Sequence, residues 1–301
     1  VNYSLGEFFF LSGEILKSKE IFLQVEDTLK YIQYPKYLNH INYNLNKDLP
    51  DLISYDYKSA VSDSYLQYSP QYDEISDELY YTRRKGNNLL DDEDISSFSV
   101  RGNRKLSNSS VSFLNTENNE GSPTTSDNGK LLIYTSCEMN FKKNSCDLYY
   151  LEKRGDSWTE PMKMSENVNS DYWDSQPFLY GDMLFFVSNR PGGSGGRDIY
   201  FTKKSGGEWA KAVNYNEVNS SYEEVSPFVR DGILYFSSDR INSFGGYDLF
   251  LLDGLESKNK IVSNLGSSIN SHLDESSIFL TDDLIFYTTE AVSYTHLTLP
   301  T

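Results

Sequence analysis

Acidic side chains recur at one place in a repeating pattern, and they are the residues here best able to do chemistry. Glu120, Asp174 and Glu224 each stand three positions before a proline, at Pro123, Pro177 and Pro227. Gln67 stands three before Pro70, and Asp274 three before Ser277, which we align with those prolines. Such carboxylates can attract a cation or accept backbone N–H bonds where a strand starts. Other catalytic types are scarce. The histidines are His40, His272 and His296, and no G-x-S-x-G elbow accompanies them. Cys137 and Cys146 have no neighbouring Cys or His at zinc spacing. The Gly-Gly pairs lack the Lys-Ser/Thr of a phosphate cradle and read as turns. No residue is therefore assigned a catalytic role, and neither a metal nor a cofactor is expected.

The elements that carry these residues form an internal repeat. Leu79, Leu132, Leu184, Leu234 and Leu284 each open an apolar-aromatic run, at steps of 53, 52, 50 and 50 residues. Asp94, Asp147, Asp198 and Asp248 open a second run at steps of 53, 51 and 50. Leu234-Tyr235-Phe236 lies between turn signals and reads as a strand. Phe244-Gly245-Gly246 and Pro191-Gly192-Gly193 then read as hairpin turns, with glycine supplying positive φ. Ser226-Pro227-Phe228 is a further strand, with proline where a missing N–H costs least. A weaker fourth strand follows Trp158 and Trp209. Four short strands per unit of roughly 50 residues predict an all-β fold, a β-propeller. Four blades are complete and a fifth is truncated. Arg190 with Asp198, and Arg240 with Asp248, bracket turns and read as exposed structural pairs worth under about 1 kcal/mol each. Aligning the units sets Cys137 and Cys146 across an eight-residue turn, which makes them a disulfide candidate.

Ser-Pro, Asp-Gly, Leu-Tyr-Phe-x-Ser-x-Arg and Gly-Gly-x-Asp-Ile-Tyr together resemble the WD-like propeller repeat of TolB-type proteins. More narrowly they resemble propellers of Bacteroidetes-type outer-membrane-associated proteins, where a tetratricopeptide domain precedes and an OmpA-like peptidoglycan-binding domain follows. The resemblance spans about residues 51 to 290. It implies that the Ser-Pro strand is innermost in each blade, so that Gln67, Glu120, Asp174, Glu224 and Asp274 gather around one channel mouth. At about 10 Å in water each pair of charges repels by about 0.4 kcal/mol, so the ring needs no bound cation. It would attract a basic protein segment or a divalent ion. The competing account is that each carboxylate caps the start of its strand. The resemblance implies a periplasmic, outer-membrane-associated protein whose partners are envelope proteins, linked to peptidoglycan through a C-terminal domain. The expected function is a non-enzymatic protein-binding scaffold, because the acidic positions obey the repeat. The alternative is a propeller hydrolase acting on a glycan or peptide.

The chain has 301 residues, 44 acidic against 27 basic, and a formal charge of −17. That balance argues against nucleic acid as a partner. No apolar run approaches the roughly 20 residues of a spanning helix. Residues 1–50 are expected to form a tetratricopeptide-like helical hairpin, with Gly6, Gly13 and Ser18 allowing close packing, and then a linker from residue 36. Residues 53–57 are expected to close the ring on the last blade. Residues 51–292 make up the propeller. Residues 293–301 resemble translated sequencing-adapter read-through, a non-native tail. With no initiating Met or signal peptide, the chain is expected to begin inside a longer gene product.

Overall fold

The computed structural model describes residues 2–25, 28, 34–46, 57–59, 65–86, 92–100, 112–140, 143–155, 157–256, 260–290 and 296–300. Five antiparallel sheets among them are the blades of a β-propeller, as the repeat predicts. Blade 1 holds Leu66–Asp73, Glu78–Arg84 and Glu93–Ser99. Blade 2 holds Asn119–Thr125, Leu131–Asn140 and Lys143–Arg154. Blade 3 holds Asp174–Tyr180, Met183–Ser188 and Asp198–Ser205. Blade 4 holds Glu224–Arg230, Ile233–Ser238, Asp248–Asp253 and Ile261–Asn264. Blade 5 has Glu275–Leu280 and Ile285–Thr289 from its own repeat, then His296–Pro300, and Tyr57–Ser59 on its outer edge. The chain thus returns its early strand to the last blade. Of the strand expected at residues 53–57, only Tyr57 lies within the described residues.

The first-named strand of each blade is innermost, and each packs on the next around the ring, blade 5 on blade 1. Tyr72 meets Phe286 at that junction, with ring centroids 5.7 Å apart. Every inner strand breaks register at one residue of positive φ: Ser69, Ser122, Gln176, Ser226 and Ser277, between 48° and 55°. The bulge turns these residues, and the four prolines and Ile278 after them, toward the axis. A narrow channel lined by them results.

The apolar-Asn pairs of the repeat end the outer edge of four blades. Asn115, Asn169, Asn219 and Asn270 bond both the N–H and the C=O of Ile95, Leu148, Ile199 and Leu249. Each side-chain amide stands in for a strand residue on the third strand's edge. Leu114, Val168, Val218 and Ile269, one residue earlier, are buried in the core. The weak fourth strand of blades 2 and 3 is correspondingly broken into two short pieces, at Ser157–Trp158 with Met162–Lys163 and at Glu208–Trp209 with Val213–Asn214.

Two glycine readings change. Gly192 has the positive φ expected of it, at 97°, but Gly193, Gly245 and Gly246 do not. They are needed for close approach instead: a Cβ on Gly193 would lie 1.7 Å from Asp198 Oδ2, and one on Gly245 2.2 Å from the Leu273 carbonyl. The arginine pairs also change, as described below. Cys137 and Cys146 face each other across the second hairpin and are joined in a disulfide.

Ahead of the propeller, α1 (Asn2–Leu11) and α2 (Ile15–Phe22) pack closely, with Ser18 Oγ donating to the Gly6 carbonyl. A third helix, α3 (Tyr34–Asn46), occupies much of the span expected to be a linker. Its Asn and Tyr content obscured an apolar stripe, Tyr37, Leu38 and Ile41, that packs with Phe10 and Phe22. Among the described residues no helix is long and apolar enough to cross a membrane.

Candidate functional site

The recurring carboxylates do not line the channel. Glu120, Asp174 and Glu224 are fully buried at the start of their inner strands. Each accepts the backbone N–H and hydroxyl of a residue four earlier, Thr116, Ser170 or Ser220. The fifth member is Glu275 rather than Asp274. Its strand begins at Glu275, which accepts from Ser271 in the same way, and Ser277 matches Ser226 in its positive φ. The alignment of Ser277 with proline was one residue out. Gln67, the blade 1 counterpart, is also buried. The capping account therefore describes this geometry, and the channel is lined by Ser, Pro, Gln, Ile and Phe side chains.

Arginine completes the cap in two blades. Arg190 donates to Asp174 Oδ1 at 2.5 Å and Arg240 to Glu224 Oε1 at 2.9 Å, replacing the pairings with Asp198 and Asp248 expected from the sequence. Asp198 and Asp248 instead accept from turn N–H groups, Ser194 with Gly195 and Phe244 with Gly245. The arginines return to the neighbouring strand because their carboxylate partners there are wholly desolvated. At the arginine position blades 2 and 5 carry Glu138 and Ala291. Burial pushes Glu120 up, and it pushes Glu275 up to about 7 against the bonds from Ser271 and Thr289.

One residue away from these capping positions, blades 4 and 5 share a second set of acids that blades 1 to 3 lack. Successive strand residues point to opposite faces, so the neighbours of the caps belong to a different surface. Glu223 and Asp274 precede the caps, Asp239 and Glu290 follow the second strands, and Arg197 and Tyr247 precede the third. They are joined across the end of the propeller. Arg197 pairs with Glu223, and its Nη2 donates to Tyr247 Oη at 3.0 Å while lying over the Trp173 ring. The Tyr247 N–H donates to Asp274 Oδ1 at 2.7 Å. The Glu223 N–H donates to Asp239, whose other oxygen receives Lys36 of α3 at 2.7 Å. The Glu290 N–H donates to the Asp274 carbonyl at 3.0 Å, which sets the two acids side by side.

Asp274 and Glu290 face a cleft of about 390 Å³ between blade 5 and the helices, whose walls include His272, Lys36, His40 and Phe10. Burial pushes Asp274 up, opposed by the Tyr247 N–H and Lys36 and reinforced by Asp239. Glu290 is also pushed up, by the cleft walls first and by Asp274 second. Two neighbouring carboxyls displaced toward neutrality are the equipment of general acid and base catalysis. Among the described residues no group of three or more His, Cys, Asp or Glu is arranged to hold a metal ion. Of the predicted site residues only Asp274 lies here. Glu290, His40 and Tyr247 were missed; the available signal was a second acid pair shared by blades 4 and 5, Glu223 with Asp239 and Asp274 with Glu290.

No family model and no curated protein matches the chain. Solved structures of similar fold include a thermostable family-43 glycoside hydrolase, at 12% identity and a TM-score of 0.53, covering 82% of this chain and 91% of that one. Another is the endo-arabinase from Bacteroides thetaiotaomicron VPI-5482, at 15% identity and 0.51, covering 82% and 97%. At these identities the likeness is one of fold. It nonetheless corrects the expectation of a non-enzymatic scaffold, because both propellers of this build are glycan-cleaving enzymes. The hydrolase alternative is the better supported reading.

Proposed function

We propose that this propeller is a glycan-directed hydrolase working by general acid–base catalysis at the cleft beside blade 5. The observation that carries the reading is the adjacency of Asp274 and Glu290, both raised, at an end of the propeller. Their roles follow from their donors. Asp274 accepts a backbone N–H, which favours its ionised form and suits it to take a proton from the attacking water. Among the described residues Glu290 receives no such bond and has a like charge beside it, which suits it to deliver a proton to the glycosidic oxygen. The sugar–oxygen bond breaks as water adds to the sugar carbon, and the two carboxyls end with their protons exchanged.

The glycoside hydrolase folds support the substrate class. The motif resemblance to TolB-type envelope propellers supports an exported setting, and the Cys137–Cys146 disulfide supports it independently. The test is reducing-sugar release from a panel of polysaccharides, beginning with arabinan. Glu290→Gln and Asp274→Asn should each lower the rate by about 100-fold or more with an unchanged fold. Failure to cleave any polysaccharide, or undiminished cleavage by both variants, would reject the reading.

A further inference from the structure

The helices contribute a buried group that nothing in the propeller explains. His40, on α3, is 2% exposed and forms part of the cleft wall. Among the described residues its Nε2 has no hydrogen-bond partner. The ring's other nitrogen is committed, since His40 hydrogen-bonds the backbone of Arg240 in a way that favours the protonated ring, as donation to a carbonyl does. That bond puts the hydrogen on Nδ1 and leaves Nε2 as a lone-pair acceptor. Burial, then Lys36, holds the imidazole down to about 4, so it is neutral at ordinary pH. A shielded acceptor without a donor is costly in a folded protein, and it persists where a ligand supplies the donor.

The surroundings indicate which donor. Lys36 is occupied by Asp239, and Asp274 and Glu290 line the same cleft as His40. The helices are held in place by contacts to the propeller: Asn44 Nδ2 donates to the Phe244 carbonyl at 2.7 Å, and His272 Nε2 meets the Leu11 carbonyl at 3.1 Å. His40 is therefore fixed relative to the two acids. A neutral group rich in hydroxyls suits one fixed acceptor sharing a cleft with two carboxyls; an anion does not.

We propose that the helical segment is a working part of the site, with His40 Nε2 accepting a hydrogen bond from a hydroxyl of the sugar held against Asp274 and Glu290. His40 is in this sense a positioning and specificity residue, and the inference rests on the glycan reading above. The full chain, labelled with 15N at histidine, would be titrated at pH 7 with L-arabinose, D-xylose, D-galactose and D-glucose. One of these sugars should move the His40 Nε2 resonance from the unprotonated range by several ppm. His40→Phe should raise that sugar's Kd, and the KM of any cleaved glycan, by about tenfold, the loss of one hydrogen bond. If no sugar moves the resonance, the proposal is overturned, and this arm needs no variant to fold. Sugar binding unaffected by His40→Phe overturns it too. Glycan cleavage with a silent His40 would leave the hydrolase reading standing and remove this one. A responsive His40 without cleavage of any polysaccharide would do the reverse.

Discussion

Asp274 Oδ1 occupies the place that a side chain on Gly246 would need, 1.8 Å from where its Cβ would stand. The carboxyl is drawn there by the N–H of Tyr247, the residue after that glycine. Blade 3 shows the same relation, with Glu223 Oε1 2.5 Å from a Cβ on Gly196. In blades 3 and 4 the glycine before the third strand is thus the floor on which the next blade's outward acid rests.

Substitution separates the two glycines of the turn. Gly245→Ala drives a Cβ into the Leu273 backbone, which cannot swing away, and should cost about 2–3 kcal/mol in urea unfolding. Gly246→Ala meets the tip of a flexible side chain, so it should cost less stability but displace Asp274 and lower glycan cleavage. Equal losses of stability in the two variants would contradict this division.

The arginine caps answer to a double-mutant cycle. Arg240→Met leaves Glu224 buried and unpaired and should destabilise by about 3–5 kcal/mol. Combining it with Glu224→Gln should recover much of that loss, because the orphaned charge is gone. Additive losses would show that the pair is not coupled.

Glu275 sets a pH dependence of known sign. Its folded value of about 7 lies above the unfolded value near 4.5, so the native state binds more protons between them. Its contribution is full below about 4.5 and lost as pH rises through 7, amounting to roughly 3 kcal/mol. Unfolding free energies measured from pH 4.5 to 8 should fall with this slope, and Glu275→Gln should flatten it. A slope that survives the substitution belongs to another group.

Reducing the Cys137–Cys146 bridge opens a loop of nine residues' separation. Loop-closure entropy predicts a loss of about 2.5–3 kcal/mol, read as a lower denaturation midpoint in dithiothreitol. Cys137→Ser with Cys146→Ser should unfold at the reduced midpoint and lose sensitivity to reductant.

How much was legible differs between fold and site. Leu184-Phe185-Phe186 and Leu234-Tyr235-Phe236 disclosed the blades because each strand repeats one apolar pattern, and a pattern survives in one dimension. The capping carboxylates were equally visible, but their partners were not. Arg190 is nearer in sequence to Asp198 than to Asp174, and only the folded hairpin shows that it turns back to the buried acid. Helix α3 was hidden because His40 and its polar neighbours dilute the stripe carried by Tyr37, Leu38 and Ile41.

The sequence by itself determined the repeating blades, the disulfide pairing and the acidic balance of the chain. These depend on composition and on neighbours a fixed distance apart. The tertiary structure alone decided which acids are buried caps and which face a cleft, since Glu275 and Asp274 are adjacent residues pointing to opposite faces of one strand start. It alone brought His40 within reach of residues more than two hundred positions later. Side-chain direction and ring closure are properties of three dimensions, and a single register step exchanges structural acid for chemical one.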